Sequence, residues 1–187
     1  MVLHGWGSNA RDLSSVRPFL NLPEYQFLFP DAPLAHPNVP DGFMWYDFRA
    51  GYSGLAESRQ ILSQWLPSLE ATTGVPLSRT LLAGFSQGAA MALDVGLNLP
   101  LAGLIALSGY LHPLTGPLNS PAPPVLMAHG RQDQVVLLGA AHSARDTLVS
   151  AGATVHYHEF EMGHEIKPPV LALIRDFVQT VVRKQVR

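Results

Sequence analysis

Cysteine is absent from the 187 residues. That excludes disulfides, thiolate metal sites and a thiol nucleophile, so covalent catalysis by this chain has to use oxygen or nitrogen. Charge is sparse as well: 14% of residues are charged, and 12 Lys and Arg against 14 Asp and Glu leave a formal charge of -2. No broad basic field exists to recruit nucleic acid or an anionic membrane. The one basic cluster, Arg183, Lys184 and Arg187, reads as cations at the end of a last helix, where the helix dipole favours them. No apolar run approaches the roughly 18 residues of a membrane span, and the N-terminus lacks the basic-then-apolar layout of a signal peptide. A cytoplasmic protein is the default expectation.

What is present is apolar and periodic. Hydrophobic residues make up 47% of the chain, enough for one core, and a chain of this size buries roughly 70% of the surface its unfolded form exposes. A single domain over 1–187 is expected. Short apolar runs at 2–4, 26–29, 80–84, 102–108, 124–129 and 154–160 read as strands, several of them apolar throughout, as buried parallel strands are. Helical patterns near 11–20, 54–73, 87–97, 139–151 and 168–183 lie between them. Gly74 and Pro76 stop the second of these helices before the next strand begins. The alternation predicts an α/β fold, a mostly parallel sheet of about six strands with helices on both faces. Two segments rich in Pro and Gly, 31–52 and 111–123, break the alternation, and the first carries Phe43, Trp45, Tyr46 and Phe48. Long loops at the strand ends of such a sheet are where ligands bind.

One motif sits in the context that its chemistry demands. Gly84-Phe85-Ser86-Gln87-Gly88 follows the apolar run Thr80-Leu81-Leu82-Ala83 and opens a helix at Ala89. A nucleophilic serine of this kind stands on a sharp, strained strand-to-helix turn with small neighbours. A serine hydroxyl also needs an oriented base, and on this fold the acid and then the histidine follow the serine in chain order. Asp133 lies just past the fifth apolar run, and His164 lies between the last strand and the last helix. The other reading of Asp133 is an N-cap for the helix after it. Of the remaining histidines, His156 and His158 alternate within a strand and read as structural, and His129 precedes Asp133 and would reverse the order. His36, His112 and His142 carry no motif, and no pair of histidines has metal-ligand spacing.

His4-Gly5-Trp6-Gly7 directly follows the first strand. Attack on an acyl carbonyl develops an oxyanion that two backbone N–H groups must meet. Gln87, just after the serine, and Trp6, in the turn between Gly5 and Gly7, are the expected donors. Trp45, Tyr46, Phe48, Leu111 and Met162 are expected, with Trp6, to wall an apolar acyl pocket.

Together these pieces resemble the phospholipase/carboxylesterase family, which includes the acyl-protein thioesterases. The matching segments are His4-Gly5-Trp6-Gly7-Ser8, Met44-Trp45-Tyr46-Asp47, Gly84-Phe85-Ser86-Gln87-Gly88, His129-Gly130 through Asp133-Gln134-Val135-Val136, and Gly163-His164-Glu165-Ile166. The resemblance implies an α/β-hydrolase fold and a hydrolase of carboxylic esters or thioesters with a small lid or none and no cofactor, and the expected apolar pocket adds a preference for short to medium acyl chains. Its substrate is then a small acyl ester or thioester. A serine peptidase or amidase would use the same three residues, and a binding module on this fold would use none of them. Members of the family usually carry further strands before the oxyanion strand, where this chain begins. Residues 26–29 are therefore expected as an exposed apolar edge strand, covered either by a second copy in a homodimer or by residues upstream of Met1.

Overall fold

The apolar runs become strands, as their composition dictates. The computed structural model describes residues 1–119 and 121–185. In chain order the strands are β1 (Val2–Leu3), β2 (Leu34–Ala35), β3 (Phe43–Met44), β4 (Leu81–Phe85), β5 (Gly103–Leu107), β6 (Val125–Gly130) and β7 (Val155–Phe160). Five of them form one parallel sheet in the order β1-β4-β5-β6-β7. Every residue of β5 and β6 is buried, which is what a continuous apolar run in mid-sheet requires. β7, with polar His156 and His158, is the outer strand.

The helices are α1 (Ala10–Ser14), α2 (Arg17–Leu20), α3 (Leu55–Thr73), α4 (Gln87–Gly96), α5 (Leu138–Ser150) and α6 (Pro168–Gln185). Leu62, Leu66 and Leu69 of α3, Ala89, Met91, Ala92, Leu93 and Val95 of α4, and Ala144 and Leu148 of α5 pack on one face of the sheet. Leu20 of α2 and Val170, Ile174, Phe177, Val178 and Val181 of α6 pack on the other. Each fully buried leucine contributes about 1.5–3 kcal/mol relative to exposure, so these two layers fix the sheet between them. Pro67 sits inside α3 but on its solvent side, where water can take the carbonyl its missing N–H leaves open. No helix among the described residues is long and apolar enough to cross a membrane. Of the basic cluster, Arg187 and the side chains of Arg183 and Lys184 lie outside the described residues.

Three expectations change. The helix expected over 11–20 is two short helices, because Pro18 opens a new first turn at α2. The loop 31–52 holds an antiparallel pair, Leu34↔Met44 and Ala35↔Phe43, and a short 3-10 helix at Phe48–Ala50. Residues 26–29 form no strand, so the sheet has five strands where six runs were counted. The segment gives β1 one backbone bond, Val2 N–H to the Leu28 carbonyl at 2.8 Å. The rings of Phe27 and Phe29 stack on each other, 6.0 Å apart, with the Arg17 guanidinium over Phe27. It therefore offers no strand ladder for a second copy to extend. An apolar cavity of about 410 Å³ lies between it, the sheet and α6.

β1, β4, β6 and β7 all end at the same edge of the sheet. The segments that follow them carry Trp6, Ser86, Asp133 and His164, respectively.

Candidate active site

β4 ends at Phe85 and α4 begins at Gln87, so one residue, Ser86, makes the whole turn. Its backbone sits at φ 56 and ψ −119, a region that costs a non-glycine residue about 1–3 kcal/mol. The surroundings hold it there. Ser86 N–H donates to the Leu107 carbonyl at 2.9 Å, and the Ser86 carbonyl accepts from Ala89 N–H at 3.0 Å and Ala90 N–H at 3.2 Å. The turn closes only because its flanks lack side chains. A Cβ on Gly84 would lie 2.1 Å from the Gly88 carbonyl oxygen, and one on Gly88 would lie 2.2 Å from the carbonyl oxygen of Leu3. Both obstacles are backbone atoms, which cannot swing aside. Gly88→Ala is expected to lose about 3 kcal/mol of stability, a fall in Tm of roughly 6–12 °C for a chain of this size. A melting curve checks it, and a shift under 2 °C would show that the β1–α4 contact is loose.

Gln87 follows the serine in the chain, and Gly5, just before Trp6, stands against it: a Cβ on Gly5 would lie 3.3 Å from that of Ser86. Among the described residues, no acceptor takes the N–H of Trp6 or of Gln87. The rest of the Gln87 residue is fixed: its side chain accepts from Trp45 N–H at 2.9 Å and donates to the Tyr46 carbonyl at 2.7 Å. The Trp6 turn is pinned by His4, whose place at the start of the motif gives no sign of that role. His4 is fully buried, its Nδ1 donates to the Gly5 carbonyl at 2.8 Å, and its Nε2 accepts from Ala32 N–H at 3.0 Å. Burial pushes its pKa down, which suits a ring that must stay neutral to make both bonds. Trp45 adds a third tie, its indole N–H donating to the His4 carbonyl at 2.9 Å.

The acid and the histidine meet. His164 Nδ1 donates to Asp133 Oδ2 at 2.7 Å. The other carboxylate oxygen accepts the N–H groups of Val135 and Val136, each at 2.9 Å. The N-cap position of α5 is Leu137, with no side-chain cap bond, so Asp133 caps its own turn and not the helix. Burial raises the Asp133 pKa, but the bonds from His164, Val136 and Val135 outweigh it and hold the carboxyl below its usual range. His129 stands 3.5 Å from the same carboxylate, and its Nε2 donates to the Val136 carbonyl at 2.8 Å. It thereby braces the Asp133 loop, a role its position before Asp133 in the chain did not reveal. On the serine side, the Phe85 ring lies 4.8 Å from the His164 ring, which brings the histidine against the residue preceding Ser86. Among the described residues no group of three or more His, Asp or Glu is placed to hold a metal ion.

The family model for Phospholipase/Carboxylesterase matches residues 1–182. The chain belongs to the phospholipase/carboxylesterase family. It is 32% identical to acyl-protein thioesterase 1 of Neurospora crassa over 94% of this chain and 80% of that one. It superposes on the crystal structure of esterase PE8 with a TM-score of 0.85 at 34% identity, over 96% of this chain and 90% of that one. Arabidopsis thaliana SOBER1 superposes with a TM-score of 0.80 at 26% identity, over 97% of each chain. As a member of the phospholipase/carboxylesterase family the chain is a hydrolase of the ester and thioester kind.

Within this phospholipase/carboxylesterase scaffold the expected wall residues divide. Phe48 is 44% exposed, its ring 4.9 Å from that of Trp6, and Arg49 lies over both. Leu111 is half-buried. Trp45 and Tyr46 are fully buried, spending their backbone on Gln87, and Met162 is buried in the core on the α6 side. The side chains of Trp45, Tyr46 and Met162 thus line no open surface in this conformation. An aromatic residue in a loop rich in Pro and Gly gives the same sequence signal whether it faces substrate or plugs the loop to the core, and only packing separates the two.

Proposed function

We propose that the protein hydrolyses carboxylic esters or thioesters of short to medium acyl chains through Ser86, His164 and Asp133. His164, with Nδ1 bonded to the Asp133 carboxylate, keeps its Nε2 lone pair free to take the Ser86 proton as the hydroxyl oxygen attacks the acyl carbon. The carbonyl oxygen becomes an oxyanion that the N–H groups of Trp6 and Gln87 receive. His164 then protonates the leaving alcohol or thiol, which departs and leaves the acyl group on Ser86. Water, deprotonated by the same histidine, attacks that ester and releases the acid. Asp133 fixes the ring's tautomer and stabilises the imidazolium without itself taking the proton.

The observation that carries this reading is the 2.7 Å Asp133–His164 bond, with the His164 ring 4.8 Å from that of Phe85 and Ser86 next in the chain in strained backbone. The exposed Phe48 and half-buried Leu111 favour an apolar acyl group.

A fluorophosphonate probe is expected to label the intact protein at Ser86, and a matched pair of ester and amide substrates to show turnover of the ester alone. No labelling would make the protein a binding module on this fold. Labelling with comparable amide turnover would make it a peptidase or amidase.

A further inference from the structure

A second Asp–His pair lies outside this machinery. Asp94, on α4, accepts through one oxygen from Arg59 Nε at 2.9 Å and Nη2 at 2.8 Å and from His112 Nδ1 at 2.7 Å. A carboxylate on Nδ1 leaves Nε2 of the neutral ring as an acceptor, as in His164. His112 is 6% exposed, and its Nε2 has no hydrogen-bond partner. Three tyrosines meet the ring edge-on: Tyr46 at 5.2 Å, Tyr110 at 5.5 Å and Tyr52 at 5.6 Å between centroids. The hydroxyls of Tyr46 and Tyr110 hydrogen-bond to each other. Only one of them donates in that bond, so the other keeps a proton for a further acceptor. A buried cage therefore holds an acceptor with no protein partner beside a hydroxyl pair that has one proton to spare.

The cage adjoins the elbow. Tyr110 follows Gly109, where a Cβ would lie 2.4 Å from that of Ala89 and 3.5 Å from the Ser86 carbonyl oxygen. The Tyr46 carbonyl takes the Gln87 side-chain amide. Tyr52 covers the cage from outside: it is 48% exposed, its ring lies 5.5 Å from that of Tyr46 at a 31° tilt, and it sits at φ 64 between Gly51 at φ 64 and Gly54 at φ 87. An aromatic side chain at positive φ is strained, and the glycines on either side give the backbone places to turn.

We infer that His112 Nε2 and the spare hydroxyl proton of the Tyr46–Tyr110 pair form a subsite for a hydroxyl group on the acyl chain, with Tyr52 as its cover. The inference rests on the acyl-hydrolase reading above. A substrate hydroxyl satisfies both groups at once, its oxygen accepting the tyrosine proton and its O–H donating to His112. A plain alkyl chain in the same place leaves both unpaired. Sites built to bond a hydroxyl reject the analogue lacking it more strongly than apolar pockets reject an extra methylene.

The test compares kcat/KM for butanoyl and 3-hydroxybutanoyl thioesters of one thiol, in the wild type and in two variants. The wild type is expected to favour the hydroxyacyl thioester by about tenfold or more. His112→Phe, which keeps an aromatic ring but no lone pair, should bring the ratio to about one. The double variant Tyr46→Phe/Tyr110→Phe, which keeps both rings, removes both hydroxyls and disturbs no ion pair, should lower the ratio severalfold and serves where His112→Phe fails to fold. A wild-type ratio of one or less, or a ratio unmoved in the folded variants, overturns the subsite. If the wild type cleaves neither thioester and Ser86 takes no phosphonate, the acyl-hydrolase reading has failed and the subsite with it. Labelling and turnover without the preference would overturn the subsite alone.

Discussion

Ser86→Ala is expected to lower kcat by about 10⁴ to 10⁶, because a nucleophile and its base act as a unit and removing either forfeits nearly all that both supply. The fold should survive the change. The hydroxyl makes none of the bonds that hold the turn, which run through the backbone N–H and carbonyl of residue 86. Alanine keeps the Cβ already accommodated at φ 56. The strain stays, so the melting temperature should move little while turnover collapses. His164→Ala should cost a similar amount, and the double variant little more than either alone. Steady-state kinetics on purified protein, with mass spectrometry to exclude contaminating esterase, decides the point. A Ser86→Ala sample that retains a tenth of the activity would remove the serine from its role.

The parts of the fold that were legible in the sequence are those where one physical requirement dominates. β5 and β6 are buried along their whole length, so only apolar residues serve there, and 102–108 and 124–129 announce themselves. The elbow was legible for a different reason. Backbone oxygens of Leu3 and Gly88 stand where a side chain at Gly88 or Gly84 would go, so the steric demand is written directly as glycine. The segment 26–29 misled because an apolar run records burial and not pairing. Phe27, Leu28 and Phe29 are half-buried, yet the burial comes from ring stacking and the cavity beside α6, with a single bond to β1.

At the site, the residues named by chemistry were easier to find than those that hold them. Asp133 and His164 follow strands in the order that the fold requires. His4 and His129, by contrast, act through contacts with carbonyls of Gly5 and Val136, and such bonds leave no spacing rule along the chain. The Asp94–His112 pair joins residues 18 apart, on α4 and the loop after β5. Neither residue belongs to a motif, and the fold alone makes them neighbours. The two sites thus share a device, a carboxylate on Nδ1 that leaves Nε2 as an acceptor, which the sequence disclosed once and hid once.

Asp133→Asn is expected to lower kcat by about 10⁴, and the geometry says why so small a change in shape should matter. One Asp133 oxygen accepts two backbone N–H groups, those of Val135 and Val136, and the other accepts from His164 Nδ1. An asparagine has one oxygen, and an NH₂ group cannot accept. Two buried N–H groups hold that oxygen more strongly than one imidazole does, so the amide NH₂ turns toward His164. Its Nδ1 must then accept, the ring proton moves to Nε2, and the atom that should take the Ser86 proton has none of its lone pair left. Stability should change with a definite sign. Hydrogen bonds hold the Asp133 pKa below its usual value despite burial, so the carboxylate's contribution is present above the unfolded pKa of about 4 and lost as pH falls through the lower folded value. The gap in Tm between wild type and Asp133→Asn should accordingly be widest near neutral pH and narrow as pH drops below about 4. Full activity in Asp133→Asn, or a Tm gap that grows on acidification, would show that the bond at 2.7 Å neither sets the tautomer nor favours the ionised acid.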